Sequence, residues 1–255
     1  MLKAIFFDQD GVIADTEKDG HRVAFNRAFR EFNLEIEWDV DTYGELLRIS
    51  GGKERMARYF RSHEVLLPVK AGEEELLIQQ LHLRKTALFI ELIQQGSLPL
   101  RPGVLRLIKQ ANELGIRIGI CTTSNEKAAA AIADTLLHEM RVDFILAGDI
   151  VQRKKPDPEI YRLALSRAAL ERAECIVIED SQNGVAAAQA AGLHALATVS
   201  EYTRNEDLSA ADAAVTCLGD PPKSPAELLR GPEYLIRDGK VDIQSLERLL
   251  AHSIH

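Results

Sequence analysis

The sequence predicts an α/β protein: a doubly wound parallel sheet with a block of helices inserted after its first strand. Three observations predict it. From residue 99 onward, short apolar runs alternate with helical patterns, as in successive βαβ units. The first run, KAIFF at 3–7, is apolar without alternation, as expected of a central parallel strand buried on both faces. Between the two, from residue 17 to about 95, nearly every stretch repeats its apolar residues at helical spacing.

The elements follow in order. HRVAFNRAFREF (21–32), DTYGELLRI (41–49), KERMARYF (53–60) and EEELLIQQLHLRKTALFIELIQQ (73–95) read as helices, interrupted at Gly51, Gly52 and over 68–72. PGVLRLIKQANELG (102–115) is a helix that stops at Gly115, and IRIGIC (116–121) a strand. NEKAAAAIADTLL (125–137) is a helix and DFILAG (143–148) a strand; DPEIYRLALSRA (157–168) is a helix and CIVIED (175–180) a strand. GVAAAQAAG (184–192) is a helix ending at Gly192, HALATV (194–199) a strand, and VDIQSLERLLAHS (241–253) a weak last helix after a Pro/Gly-rich stretch. This organisation assigns 1–16 and 98–255 to the α/β core and 17–97 to the helical insertion, entered and left beside the end of the first strand.

The bulk composition narrows the function. A chain of 255 residues, 46% hydrophobic, can bury a large core and is not disordered. A net charge of −8 argues against nucleic acid or an anionic membrane as a partner, though not against an anionic small molecule held by a local cluster of cations. No apolar run is long enough to span a bilayer. The first residues lead directly into a strand, so no signal or transit peptide is expected. Cys121, Cys175 and Cys217 lie far apart without a CxxC spacing and read as reduced core thiols in a reducing compartment.

Four distant segments each end a strand or approach a strand end with a group that handles phosphate. In FFDQDGVIADTE, Asp8 ends the strand and Gly11 lets the chain turn. Two carboxylates at i and i+2 suit a division of labour, Asp8 attacking phosphorus and Asp10 exchanging a proton with the leaving oxygen. In IGICTTSN, Thr122, with Thr123 beside it, offers a hydroxyl and backbone N–H groups at a helix start. In RKKPDPEIY, Lys155 can neutralise an attacking carboxylate and phosphate oxygens. In CIVIEDSQNG, Glu179 and Asp180 follow a buried strand, where adjacent acids are costly without a cation. Asp8, Asp10, Glu179 and Asp180 together form an all-oxygen set that calls for Mg²⁺.

Each segment also has a plainer reading: solvated strand-end acids, an Asp180 or Ser181 helix cap, an ordinary Ser/Thr cap, a lysine in a basic run. Convergence at the carboxyl edge of one parallel sheet, where open α/β sheets bind their ligands, favours the phosphoryl-transfer reading. In the insertion, Gly51, Gly52 and Lys53 at a helix start suit a second phosphate or a plain turn. Glu17 and His21 stand where they either contact a sugar hydroxyl or lie exposed on a helix.

In their order, Asp8-x-Asp10-Gly11, Thr122, Lys155 and the pair Glu179 and Asp180 resemble the four motifs of the haloacid dehalogenase-like hydrolases. The resemblance covers essentially the whole core, and the helical insertion looks like that family's cap. It implies a Rossmann-like core, a mobile cap and an aspartyl-phosphate intermediate. By resemblance Asp8 is nucleophile and Mg²⁺ ligand, Asp10 is acid/base and offers its carbonyl to the metal, Thr122 and Lys155 hold phosphate, Asp180 binds Mg²⁺, and Glu179 binds it directly or through water. Gln9 departs from the small or apolar residue expected between the two aspartates.

The stretches DTEKDGHRVAFNRAF, WDVDTYGELLRISGGKERMARYF, ICTTSNEKAAAAI and IEDSQNGVAAAQAAG are similar to the family's CbbY branch, whose members hydrolyse xylulose-1,5-bisphosphate to xylulose 5-phosphate, removing an inhibitor of Rubisco. The resemblance implies a phosphorylated sugar as partner, recognised from the cap by Glu17, His21, Gly51, Gly52, Lys53 and Arg55. A β-phosphoglucomutase-like transferase, a phosphatase of another small metabolite and a non-catalytic binding protein stand as alternatives. A monomer is expected, cytoplasmic in a bacterium or in the chloroplast stroma as a mature plant or algal form.

Overall fold

A computed structural model of the chain describes residues 1–70, 72–96 and 98–252. Part of the expected 68–72 break, the last residue of the 17–97 insertion and the end of the expected C-terminal helix lie outside the described residues. Among them, seven strands form one sheet in the order β3-β2-β1-β4-β5-β6-β7. The strands are β1 (Ala4–Phe7), β2 (Arg117–Cys121), β3 (Phe144–Leu146), β4 (Cys175–Glu179), β5 (His194–Thr198), β6 (Ala213–Val215) and β7 (Leu228–Arg230). All neighbours pair in parallel except β6 and β7. The doubly wound α/β expectation holds. The strand order reverses around β1, and the crevice outside the carboxyl ends of β1, β2 and β4 is the topological switch point.

Successive residues of β1 face opposite sides of the sheet. Ile5 and Phe7 join a cluster with Leu107 and Ile108 of α5 (Val104–Glu113) and Leu246 and Leu249 of α9 (Ile243–His252). Ala4 and Phe6 join the other face, with Ile160 and Ala164 of α7 (Glu159–Ala168) and Val185 and Ala188 of α8 (Gln182–Ala190). Both sides of β1 are therefore dry, which is why KAIFF shows no polar alternation. Cys121, Cys175 and Cys217 are free and buried.

The segment between β1 and α5 is helical throughout its ordered elements. A wide π-helical turn, Glu17–His21, runs into α1 (Arg22–Glu31), followed by α2 (Val40–Leu46), α3 (Gly52–Ser62) and α4 (Glu74–Gln94). Asp39 caps α2 by accepting from the Thr42 N–H. Their packing centres on Trp38, whose ring centroid lies 4.8 Å from that of Phe25, tilted, and 4.9 Å from that of Phe29, edge-on. The chain leaves and re-enters the sheet side by side: Ala14 bridges Leu100, and the Arg101 N–H donates to the Ile13 carbonyl. No helix among the described residues is long and apolar enough to cross a membrane.

Two elements escaped the sequence reading. β6 is AAV and β7 is LLR, three residues each, without the β-branched or aromatic runs that identify strands, and β7 is an exposed antiparallel edge.

Candidate active site

The register of the sheet assembles the site. Phe7 pairs with Ile120 on one side and Ile178 on the other, so the next residues, Asp8, Cys121 and Glu179, come level at the carboxyl edge. Lys155 reaches in from the loop between β3 and α7. Its ammonium donates to Asp8 Oδ1 at 2.5 Å, to Glu179 Oε1 at 2.6 Å and to the Cys121 carbonyl at 2.8 Å. Tyr161 donates its phenol to the same Glu179 oxygen at 2.5 Å. Burial works against the Lys155 charge, but Asp8 and Glu179 outweigh it and raise the lysine above its ordinary value.

The local backbone leaves room for this cluster. Gly11 has φ +83°, and a Cβ on it would stand 2.0 Å from Asp180 Oδ2. A Cβ on Gly184 would stand 2.0 Å from the Glu179 carboxyl carbon. Ser181, not Asp180, caps α8, accepting from the Gly184 N–H, which leaves the Asp180 carboxylate to the cleft.

One carboxylate oxygen each of Asp8, Glu179 and Asp180 lies within 4.8 Å of the others. All three groups are buried, and Lys155 is the one cation bonded to them among the described residues. Burial, with the charges of Asp8 and Glu179, pushes Asp180 well above the usual carboxylate range. Burial also raises Asp8, against the pull of Lys155. Three buried carboxyl groups sharing one lysine form an all-oxygen set that fits a hard divalent cation such as Mg²⁺. Asp8 and Asp180 are placed to hold it. Glu179, with 0% of its surface exposed, sits behind them on Lys155, Tyr161 and the Asp180 N–H.

Asp10 faces a different set. Thr16 and Ser124 hydroxyls donate to its two oxygens, Ser124 at 2.5 Å, and His21 Nε2 lies 2.9 Å from Oδ1. Lys85 donates to His21 Nδ1 at 2.7 Å, so the imidazole hydrogen sits on Nε2 and points at Asp10. Burial opposes the Asp10 charge, but His21, Ser124 and Thr16 prevail and hold it well below the usual range. Burial lowers Lys85 to about 8, partly offset by Glu17 and Asp10, while its ammonium lies 4.6 Å from the Phe25 ring centre.

A cavity lies between this edge and helices α1 to α4. Of the residues expected from the sequence, it brings together Asp8, Asp10, Thr122, Thr123, Lys155 and Asp180 from the sheet side, and Glu17, His21, Gly51, Gly52 and Arg55 from the helices. Lys53 is not in its wall: its amine is bound to Asp149 at 2.6 Å across the seam. Beside it Lys154 pairs with Glu54 at 3.1 Å, and Lys18 with Glu201 at 3.2 Å. Asn183 donates to the Arg48 carbonyl at 3.1 Å. These contacts close the helices over the sheet edge.

Sequence reasoning missed Thr16, Ser124, Lys85, His82, Tyr161 and the 200–206 loop, all of which reach the site or its wall. Lys85 carried a signal: it stands one turn from Leu81, Leu88 and Phe89, on the buried face of its helix. The others are common residue types whose roles depend on contacts distant in sequence.

Comparison with known proteins agrees with this geometry. The family model for haloacid dehalogenase-like hydrolase matches residues 2–192. A CBBY-like protein of Arabidopsis thaliana is 50% identical over 231 residues, 88% of this chain and 72% of that protein. Protein CbbY of Rhodobacter capsulatus is 41% identical over 83% of this chain and 91% of its own length. The crystal structure of CbbY from Rhodobacter sphaeroides in complex with phosphate superposes with a TM-score of 0.79 at 38% identity, covering 85% of this chain and 95% of that one. A variant of that protein has been crystallised with xylulose-1,5-bisphosphate; it is 37% identical to this chain, with the same TM-score and coverage. The chain belongs to the haloacid dehalogenase-like hydrolases and is a phosphatase of that family, with CbbY proteins among its relatives.

Proposed function

We propose that the protein is a Mg²⁺-dependent sugar bisphosphatase that hydrolyses xylulose-1,5-bisphosphate to xylulose 5-phosphate through an aspartyl-phosphate, with 17–97 acting as its cap. The observation that carries the reading is one cavity with two kinds of wall: Asp8, Asp10 and Lys155 from the sheet edge, and Glu17, His21 and the α3 N-terminus from the helices. A relative of 37% identity has been crystallised with this bisphosphate. The plant and bacterial relatives accord with a chloroplast or bacterial setting.

The residues divide the work as follows. Asp8, kept in place by Lys155, attacks phosphorus in line, and the bond from phosphorus to the sugar oxygen breaks. Asp10 supplies the proton to that oxygen, having taken it from solvent as the substrate displaces one of the donors that hold it ionised. Water then attacks the phosphorus, Asp10 takes its proton, and Asp8 is released. Thr122, Thr123 and Lys155 cradle the transferred phosphoryl group. Asp8, Asp180 and the Asp10 carbonyl, with Glu179 behind them, would hold a Mg²⁺ ion, which would neutralise charge at the phosphoryl oxygens. Closure of the cap excludes bulk water. The distal phosphate meets the N–H groups of Gly51 and Gly52, with Lys53 engaging it in exchange for Asp149.

The test is phosphate release with Mg²⁺ from xylulose-1,5-bisphosphate, β-glucose 1-phosphate and phosphoglycolate, with Asp8→Asn as control. Strong preference for the bisphosphate, lost in Asp8→Asn, is expected. Interconversion of glucose phosphates without net phosphate release would indicate a mutase and overturn the reading.

A further inference from the structure

Arg55 lies at the cavity wall, and its charge invites assignment to a substrate phosphate. Its hydrogen bonds point elsewhere. Nε donates to the Leu46 carbonyl at 3.1 Å, Nη2 to the Ile49 carbonyl at 3.3 Å and Nη1 to the Tyr43 hydroxyl at 2.8 Å. Tyr43, 0% exposed, in turn lies 2.5 Å from Glu17 Oε2. The polarity of this chain follows from chemistry. A guanidinium only donates, so the phenol oxygen accepts from Arg55 and its single hydrogen goes to the Glu17 carboxylate. Burial raises the Tyr43 phenol well above its ordinary value, so that hydrogen stays on the oxygen. Arg55 also lies 5.1 Å from the Tyr43 ring centre, fixing the ring as well as the hydroxyl.

The far end of the chain is at the chemistry. Glu17 lines the cavity, and it offers a carboxylate oxygen within 4.8 Å of ligand atoms of Asp10 and His21. The phenol takes one lone pair of Oε2, and the carboxylate keeps others within reach of the space beside Asp10. A carboxylate there accepts from alcohol hydroxyls. It does not bind phosphate.

We propose that Arg55 and Tyr43 are positioning residues that aim Glu17 at an alcohol hydroxyl of the substrate. The enzyme thereby selects polyhydroxylated phosphomonoesters over esters without hydroxyls. This rests on the sugar-phosphate reading of the cavity. It assigns Arg55 no contact with the distal phosphate.

The experiment compares kcat/KM for two substrates: the sugar phosphate that the wild-type enzyme turns over fastest, and phenyl phosphate, which has no alcohol. Tyr43→Phe keeps the ring packed against Phe25 and Trp38 and deletes the oxygen. The ratio of sugar phosphate to phenyl phosphate should fall about ten-fold, through KM more than kcat, as expected for losing one bond to a charged acceptor. Glu17→Gln should lower the same ratio, and the double variant should be no worse than Glu17→Gln alone. Arg55→Lys, which loses the planar guanidinium that holds Tyr43 through Nη1 while keeping the charge, should give an intermediate fall. An unchanged ratio in Tyr43→Phe, or additive losses in the double variant, would overturn the proposal. Because the sugar phosphate is chosen by turnover, failure of xylulose-1,5-bisphosphate alone refutes the proposed substrate and leaves this test intact. Turnover of phenyl phosphate with no sugar phosphate hydrolysed would overturn both.

Discussion

Replacing Lys155 with methionine tests the electrostatic account of the site most directly. The ammonium holds Asp8, Glu179 and the Cys121 carbonyl at 2.5–2.8 Å in a pocket where the lysine is 5% exposed. Methionine fills most of the volume but leaves two buried carboxylates without their cation. Breaking a buried pair by removing one partner costs about 3–5 kcal/mol. For a chain of this size that is a fall in Tm of about 10 °C. The pH dependence sharpens the test. The Lys155 value is raised in the folded protein, so its contribution is complete below the ordinary 10.5 and is lost only as pH rises through the higher folded value. Across neutral pH the wild type keeps all of it. In Lys155→Met the freed carboxyls are easier to protonate, so the deficit should be smaller near about pH 5 than near about pH 8. Denaturant titration in chelator at both pH values reads this out. A loss below about 1 kcal/mol, or a deficit independent of pH, would mean that the carboxyls are neutral already and that the network is not ionic.

Three further outcomes follow from the same geometry. In chelator, Asp180 and Asp8 are raised above their ordinary 3.8, so the stabilisation they give is present below that value and lost as pH rises through the folded values. The Tm gained on adding Mg²⁺ should therefore grow with pH, and a gain that is flat with pH would contradict it. Gln9→Leu should stabilise the protein by about 1–2 kcal/mol, because Gln9 is 0% exposed and neither side-chain polar atom has a partner among the described residues; destabilisation in a urea titration would reveal a bond that these contacts do not include. Gly184→Ala should cost about 1–3 kcal/mol despite its helical position, since the added methyl meets the buried Glu179 carboxylate. A Tm within about 1 °C of wild type would show that Glu179 can retreat.

The sequence by itself determined which runs are strands and helices where the patterns were strong, and it set the order of the chemical groups. KAIFF, IRIGIC and CIVIED are apolar because their strands are covered on both faces, and that requirement is local enough to read. Gly11 before a turn and Ser181 before α8 are likewise short-range choices. Because parallel strands end at the same edge, the placement of Asp8, Thr122 and Asp180 followed from the fold class. Tertiary structure alone decided how those groups are partnered. β6 owes its pairing to the existing edge of β5, and β7 to the edge that β6 then offers, not to their own propensity. Lys85 reaches His21 across 64 residues, Ser124 reaches Asp10 across 114, and Lys53 turns to Asp149 across 96. Hydrogen bonds and charges act over a few ångströms in space, whatever the separation along the chain. The Asp10 carboxylate gained the donors that hold it low, and Arg55 its bonds within its own helices, only when the insertion closed over the sheet.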